Sequence, residues 1–181
     1  GIRMARFKGT ENLEQYLSLL AEDKSPQVRR EAAIALRFIG TEAAAQQWAD
    51  LATQHTAGDR WYLEALGIGA DIFPELYFKA WRNKVGKNWQ SEAGKEIVWR
   101  IRAKESVPML VSLIKDQKVP SNKLASYFRA LDFKDHPSKD NYLMDMLTWN
   151  HPLKNEIQAY AIGQMDAKFV YSSPKNIRMV K

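Results

Sequence analysis

Amphipathic helical segments recur in pairs along this chain, and that repetition limits what it can fold into. In the stretch 25–40, SPQVRREAAIALRFIG, apolar residues return at helical spacing between Pro26 in the first turn and Gly40 at the end. Ser25 is the expected N-cap. Four later stretches repeat the pattern, with centres 30, 35, 30 and 31 residues apart. They are 58–70, 95–103, 123–133 and 155–165.

Each of these stretches follows another amphipathic segment, so the sequence predicts a series of helical hairpins. The preceding segments are 12–23, 42–55, 71–85, 106–116 and 141–150. Two helices cannot bury their apolar faces alone, whereas stacked pairs share a continuous core. We therefore expect an all-α fold, and more specifically an α-solenoid superhelix of about five antiparallel helix pairs.

The same pattern divides the chain into three parts. We expect a basic leader at 1–10, in which Gly1 is a candidate cleavage remnant, and a single solenoid domain at 11–167. Residues 168–181 are expected to be a basic tail or the start of a following segment. No apolar run approaches the ~18–20 residues of a membrane-spanning helix, so no membrane span is expected.

The net charge of +6 suggests a nucleic-acid partner, but the excess charge lies at the two ends of the chain. The first ten residues contribute +3 and residues 168–181 contribute +4, with no acid in either, which leaves the body at −1. Phosphate-binding surfaces depend on clustered cations. A nucleic-acid partner is therefore disfavoured, although a local basic stripe stays open as an alternative.

The sequence offers few groups for catalysis. Cysteine is absent, which excludes disulfides, thiolate metal sites, thiol nucleophiles and CxxCH haem attachment within this sequence. His55, His136 and His151 are far apart and lack a second ligand at metal-binding helical spacing. We interpret the stretch DFKDHPSKD as a solvated loop rather than a cation site. We predict no catalytic residue, no metal and no cofactor, and hence no enzyme.

The motif of the stretch 25–40 resembles the second helix of a HEAT repeat. The matching residues are Pro26, Val28, Arg29, Ala32, Ala33, Ala35, Leu36, Ile39 and Gly40. The later stretches DRWYLEALGIGAD, EIVWRIR and YFRALDF are similar to a narrower group. These are HEAT-like modules inside large secreted bacterial proteins that combine a dehydrogenase-like propeller, helical repeats and often a c-type haem domain. The resemblance covers about residues 20–165.

This resemblance implies a noncatalytic interaction or spacer module, excised from a larger secreted or periplasmic multidomain protein linked to sugar or polysaccharide metabolism. The partners would be sister domains of the parent chain or another protein, with a glycan as a further candidate. The resemblance brings no catalytic residue to this sequence, and any haem would belong to another part of the parent chain.

In a HEAT-like solenoid the second helices line the concave face, so their exposed flanks form the candidate partner-binding surface. The candidates are Arg30, Arg37, Arg60, Trp61, Trp99, Arg100, Arg102 and Arg129. Arg29 is instead expected to join neighbouring repeats, and Asp59 to cap the helix that follows it. Most tryptophans in a helical array pack in its core, and Trp61 is the strongest exception because it follows Arg60 at a helix start.

Two other functions fit parts of the sequence. HEAT-like alkylpurine DNA glycosylases use a basic concave groove with tryptophan and aspartate residues, a chemistry for which Trp61, Trp99 and Asp132 are available. The near-neutral body argues against such a duplex-binding groove. An autonomous peptide-binding adaptor differs from the leading interpretation only in having a ligand of its own.

Overall fold

The structure, a computed structural model, describes residues 13–180. These residues are helical with no strand among them, which confirms the all-α prediction. None of the helices within this range is both long and apolar enough to cross a membrane. The expected basic leader 1–10 lies outside the described residues.

The chain divides into two compact units, the first ending at Ser106 and the second beginning at Val107. In the described part of unit 1 the helices are α1 (Leu13–Ala21), α2 (Pro26–Ala35), α3 (Glu42–Thr53), α4 (Arg60–Gly69), α5 (Pro74–Val85) and α6 (Glu92–Arg100). In unit 2 they are α7 (Ser106–Lys115), α8 (Ser121–Asp132), α9 (Lys139–Met146), α10 (Lys154–Gln164), α11 (Ala167–Tyr171) and α12 (Pro174–Val180). The division falls at the first residue of α7.

Each of the ten segments that periodicity predicts overlaps one of the helices α1 to α10, but several ends differ. A 3-10 turn at Leu36–Phe38 continues α2 toward Gly40. Helix α6 begins ahead of the predicted 95–103 because the Ser91 hydroxyl accepts a hydrogen bond from Gly94 N at 3.2 Å. The segment 168–181, expected as a basic tail or the start of a following segment, contains most of α11 and all of α12.

Helix α2, which carries the HEAT-like motif, begins differently from the prediction. Ser25 occupies the N-cap position of α2, but its side chain makes no hydrogen bond to the helix backbone. Its hydroxyl instead donates to the Gln27 side-chain oxygen at 2.8 Å, while its backbone N–H donates to Asp23 at 2.7 Å. Pro26 removes only one of the N–H groups that lack an intrahelical partner, and Ser25 does not cap the others.

In unit 1 the helices contact one another in two alternating series. Helices α1, α3 and α5 pack in succession, and so do α2, α4 and α6. Consecutive helices α1 and α2 also contact each other, as do α3 and α4. Every helix that the structure describes in unit 1 thus contacts at least one neighbour. Whether this order is that of a solenoid along the whole chain stays a prediction.

Buried aromatic residues fill the space between the two series. The largest fully buried side chains of unit 1 include Trp48, Trp81, Tyr62, Tyr77 and Phe78. Their polar atoms reach backbone carbonyls near helix ends: Trp48 Nε1 donates to Leu66 O at 3.0 Å, and the Tyr62 hydroxyl donates to Leu51 O at 3.1 Å. The same two carbonyls also accept the backbone N–H groups of Ala70 and Gln54. These aromatic residues therefore fill the core and add a second hydrogen bond to the last turns of α3 and α4.

In unit 2 two His-Pro turns start consecutive helices. The His136 carbonyl accepts from Lys139 N at 2.9 Å, and His136 Nδ1 accepts from Ser138 N at 3.0 Å. His151 makes the same two contacts ahead of α10. Its carbonyl accepts from Lys154 N at 3.1 Å, and its Nδ1 accepts from Leu153 N at 3.0 Å. Both imidazoles therefore accept a hydrogen bond from a backbone N–H at the start of a helix.

Candidate functional site

One side of α4 faces solvent, with Arg60, Trp61 and Ile68 exposed and Glu64 half-buried. The helix begins at Arg60 because the Asp59 carboxylate accepts a hydrogen bond from Tyr62 N at 3.0 Å, which confirms the predicted cap. Trp61, Glu64 and Ile68 follow at the spacing of residues that share one helix face. The other side of α4 is buried against the rest of unit 1. The exposed stripe therefore combines charged and apolar side chains.

Glu64 joins α4 to α6 by bridging two arginines. Its Oε1 lies 2.6 Å from an Nη of Arg60, and its Oε2 lies 2.8 Å from Nε of Arg100. The Arg60 guanidinium also lies 5.3 Å from the ring centroid of Trp99 on α6. Gly67 makes room for this arrangement, because a Cβ at that position would lie 2.2 Å from Arg100 Cζ. The Arg100 guanidinium consequently lies directly against the α4 backbone.

Asp71, just beyond the end of α4, bridges a second pair of arginines. Its Oδ2 lies 2.9 Å from an Nη of Arg37, which is in the 3-10 turn after α2. Its Oδ1 lies 3.7 Å from an Nη of Arg102, which follows α6. The Arg37 guanidinium is also 5.4 Å from the ring centroid of Phe38. Each carboxylate therefore holds two arginines from different elements of unit 1.

Large apolar side chains remain exposed beside these bridges. Trp61 is 72% exposed and Phe38 is 67% exposed, while Ile68 and Ile72 are also exposed. We call the α4 face the surface made by the exposed stripe, the two bridges and these apolar residues. It consists of Arg37, Phe38, Arg60, Trp61, Glu64, Ile68, Asp71, Ile72, Trp99, Arg100 and Arg102. Single exposed apolar residues are common on proteins, whereas a group of them points to an interaction site.

The structure brings most of the sequence-predicted site residues to this surface. They are Arg37, Arg60, Trp61, Trp99, Arg100 and Arg102. Arg30 is half-buried on α2. Arg129 belongs to α8 in unit 2, where its guanidinium lies 4.7 Å from the ring centroid of Phe133. That any of these residues binds a partner stays a prediction.

Arg29, expected to join neighbouring repeats, makes its hydrogen bonds within its own hairpin and approaches the next helix pair only at Tyr62. Its guanidinium donates to Asp23 O at 2.7 Å and to Lys24 O at 3.1 Å, both in the turn before α2. It also lies 5.7 Å from the ring centroid of Tyr62 on α4. Burial raises the pKa of the Tyr62 hydroxyl, and the Arg29 guanidinium opposes that shift.

Sequence reasoning missed the acidic half of the α4 face. Glu64 and Asp71 were not among the candidates, although Glu64 follows Arg60 at the four-residue spacing of a helical ion pair. The exposed Phe38, Ile68 and Ile72 were missed as well. Nothing in the local sequence separates these three from the buried apolar residues of the same stripes, since helix packing decides which of them is covered.

A cleft of about 350 Å³ also opens in unit 1, between α3, α5 and α6. The Lys84 ammonium on its wall is 2.6 Å from Asp50 Oδ1. His55 on the same wall places Nε2 2.7 Å from a Glu96 oxygen, and among the described residues its buried Nδ1 has no hydrogen-bond partner. Nδ1 is closed off from solvent, so a molecule in the cleft cannot reach it without rearrangement.

Asp132, considered above for glycosylase chemistry, is engaged within unit 2. The Tyr160 hydroxyl lies 2.9 Å from Asp132 Oδ1 and 3.1 Å from Phe128 O. The Tyr160 and Phe128 rings stack with centroids 4.0 Å apart. Burial, followed by the hydrogen bond to Asp132 and its negative charge, raises the pKa of Tyr160 well above the ordinary tyrosine value.

The raised pKa of Tyr160 predicts alkaline destabilisation. Because the folded-state pKa exceeds that of unfolded tyrosine, this group's contribution to stability is present below about pH 10 and is lost as the pH rises above it. We expect the urea midpoint to fall above about pH 10, and to fall less steeply in Tyr160→Phe. The change of the urea midpoint with pH is compared, rather than the midpoint itself, because Tyr160→Phe also loses the hydrogen bond to Asp132. Tyr171→Phe, at an exposed tyrosine, is the control, and equal slopes in all three proteins would contradict the prediction.

Among residues 13–180, no group of three or more histidine, aspartate or glutamate side chains is arranged to hold a metal ion. Comparisons of the chain with protein-family models, with curated proteins and with solved structures found no match. The functional assignment therefore depends on the geometry of the α4 face.

Proposed function

We propose that this chain is a noncatalytic helical-repeat interaction module that binds a protein partner on the α4 face. The proposal rests on one observation: Trp61 stands 72% exposed on a helix whose neighbouring arginines are already fixed in place by carboxylates. Exposed tryptophan beside ordered arginine is the composition of binding hot spots. Arg60 and Arg100 are held by Glu64 before binding, so less of their conformational entropy is lost when a partner docks.

The helix contacts support a HEAT-like interpretation of unit 1. Helices α2, α4 and α6 contact one another in sequence order, and the α4 face lies on this series. In a solenoid built from helix pairs, such a series is the partner-facing one. On the family resemblance, the partner is a sister domain of a secreted or periplasmic parent protein, or a separate protein.

A protein partner fits the α4 face better than a nucleic acid or a glycan. Two of the four bridging arginine charges are neutralised by Glu64 and Asp71, and the chain between the basic ends carries a net charge of −1. A duplex-binding surface would need more uncompensated cations. The large apolar area beside the arginines is typical of the centre of a protein interface.

Selection of peptides tests the proposal directly. A random library displayed on phage is selected against the full chain, and the enriched peptides are synthesised and titrated. We expect Trp61→Ala to weaken their binding by roughly tenfold or more, because it removes the central apolar contact. Tyr171→Ala changes an equally exposed aromatic residue outside the α4 face and is expected to leave the affinity unchanged.

The same titrations include duplex DNA and a small panel of oligosaccharides, at low and moderate salt. Repeated selections without a Trp61-dependent peptide would contradict the proposal. So would duplex DNA or an oligosaccharide that binds the wild type and is lost in Trp61→Ala. Circular dichroism of the variant checks that the helices persist.

A further inference from the structure

The arrangement of charge on the α4 face indicates what kind of segment it receives. Four guanidinium groups share two carboxylates there, so the two bridges together keep two uncompensated positive charges. In each bridge one arginine stays open to solvent: the side chains of Arg60 and Arg102 are 65% and 60% exposed. A guanidinium has five N–H donors, so each of these two arginines can donate to a second carboxylate in addition to its present partner.

The two bridges stand at a defined spacing. Glu64 and Asp71 are seven residues apart along and just beyond α4, which corresponds to roughly 10 Å at the 1.5 Å rise of a helix. In a second helix that lies along α4, residues seven apart face α4 from the same side and are also separated by roughly 10 Å. Carboxylates seven residues apart on such a helix would therefore reach both bridges at once.

Apolar side chains lie between and beside the two bridges. Trp61 and Ile68 are also seven residues apart on α4, and Phe38 and Ile72 stand next to the Asp71 bridge. A docked helix that places apolar residues between its two carboxylates would cover this area. Amphipathic helices commonly bind helical surfaces in this manner, with anchors at helical spacing.

We propose that the α4 face binds an acidic amphipathic helix of a partner protein. One carboxylate of that helix pairs with Arg60 at the Glu64 bridge, and a second carboxylate about seven residues on pairs with Arg102 at the Asp71 bridge. Apolar residues of the helix lie between the two carboxylates. This inference rests on the proposed function and specifies its partner. The charge is complementary, since two carboxylates neutralise the two excess positive charges of the bridges.

Designed peptides test the spacing as well as the charge. Three helical peptides of about 18 residues share the same apolar residues. The first peptide has two glutamates seven residues apart, and the second has its two glutamates about five residues apart. The third has glutamines in place of the two glutamates of the first. Fluorescence anisotropy is measured with the full chain at about 50 and about 300 mM salt.

We expect the seven-residue peptide to bind most tightly, and the glutamine and shifted peptides to bind roughly tenfold more weakly or worse at low salt. Its advantage should shrink at high salt because the charges are exposed. Arg60→Gln and Arg102→Gln should each weaken its binding by roughly threefold or more. Arg129→Gln, an exposed arginine in unit 2, is the matched control and should have no effect.

A charge reversal guards against loss of folding in the variants. The double variant Arg60→Glu, Arg102→Glu should bind a peptide with lysines seven residues apart in preference to the glutamate peptide, which a misfolded protein would not do. Equal affinity for the glutamate and glutamine peptides, equal affinity for the two glutamate spacings, or full displacement by duplex DNA would each overturn the inference.

The phage selections distinguish failure of the acidic-helix inference from failure of the proposed function. If Trp61-dependent peptides are enriched but contain no acidic residues, the acidic-helix inference is wrong and the interaction module stands. If no peptide of either charge binds in a Trp61-dependent way, both are wrong.

Discussion

Replacing Gly69 with alanine is expected to destabilise the chain by about 1–3 kcal/mol, the usual cost of overpacking a closely packed contact. Gly69 is the last residue of α4, and a Cβ there would lie 2.1 Å from the backbone oxygen of Ala33 on α2. That oxygen belongs to a helix backbone, so it cannot move without shifting α2 against α4. The expected measurement is a lower urea midpoint with an unchanged m-value.

Gly163 gives this experiment a control of opposite sign. It is near the end of α10, as Gly69 is near the end of α4, but no atom beyond its chain neighbours and its own helix backbone lies within 4 Å of the position that a Cβ would take. Alanine is favoured over glycine in a helix by about 0.5–1 kcal/mol, so Gly163→Ala should stabilise the chain by about that amount. If Gly69→Ala were neutral or stabilising, the close contact between α2 and α4 would be wrong.

The helical class and the approximate positions of α1 to α10 followed from the sequence because periodicity reports which side of a segment is buried. The stretch 25–40 illustrates both the strength and the limit of that signal. Its apolar residues correctly place α2, but the α-helix ends at Ala35 and a 3-10 turn continues it. Helix ends depend on local hydrogen bonds, such as those at Ser25 and Ser91, which residue type alone does not determine.

The candidate site was only half predictable, because its acidic members act across helices. Arg60, Trp61 and Arg100 stood out as residue types that bind partners. Glu64 bonds Arg60 within α4, which spacing could have indicated, but its bond to Arg100 depends on how α4 and α6 pack. The division of the chain at Ser106 likewise depends on which helices contact each other, and no composition change marks it.

Replacing two tryptophans of unit 1 with alanine should change the free energy of unfolding by very different amounts. Trp48 is 1% exposed, donates Nε1–H to Leu66 O at 3.0 Å, and its ring lies 5.8 Å from that of Tyr77. Trp48→Ala should therefore lower the free energy of unfolding by about 3–5 kcal/mol, the cost of emptying a large buried site. Trp61 is 72% exposed, so Trp61→Ala should change stability by no more than about 0.5 kcal/mol.

Urea unfolding followed by circular dichroism measures both variants against the wild type. A loss of about 3–5 kcal/mol is a large fraction of the total stability of a domain, so a milder variant is measured beside Trp48→Ala. Trp48→Phe then serves as a second variant. It keeps an aromatic ring beside Tyr77 but lacks the N–H that reaches Leu66 O, so a smaller loss is expected.

The contrast between the two positions is what distinguishes a binding residue from a packing residue. A peptide that requires Trp61 should lose affinity for Trp61→Ala while the urea midpoint stays unchanged, because the side chain contributes to a partner's contacts and not to the core. A substantial loss of stability in Trp61→Ala would mean that this tryptophan packs within the protein. The α4 face would then lose the observation on which its proposed function rests.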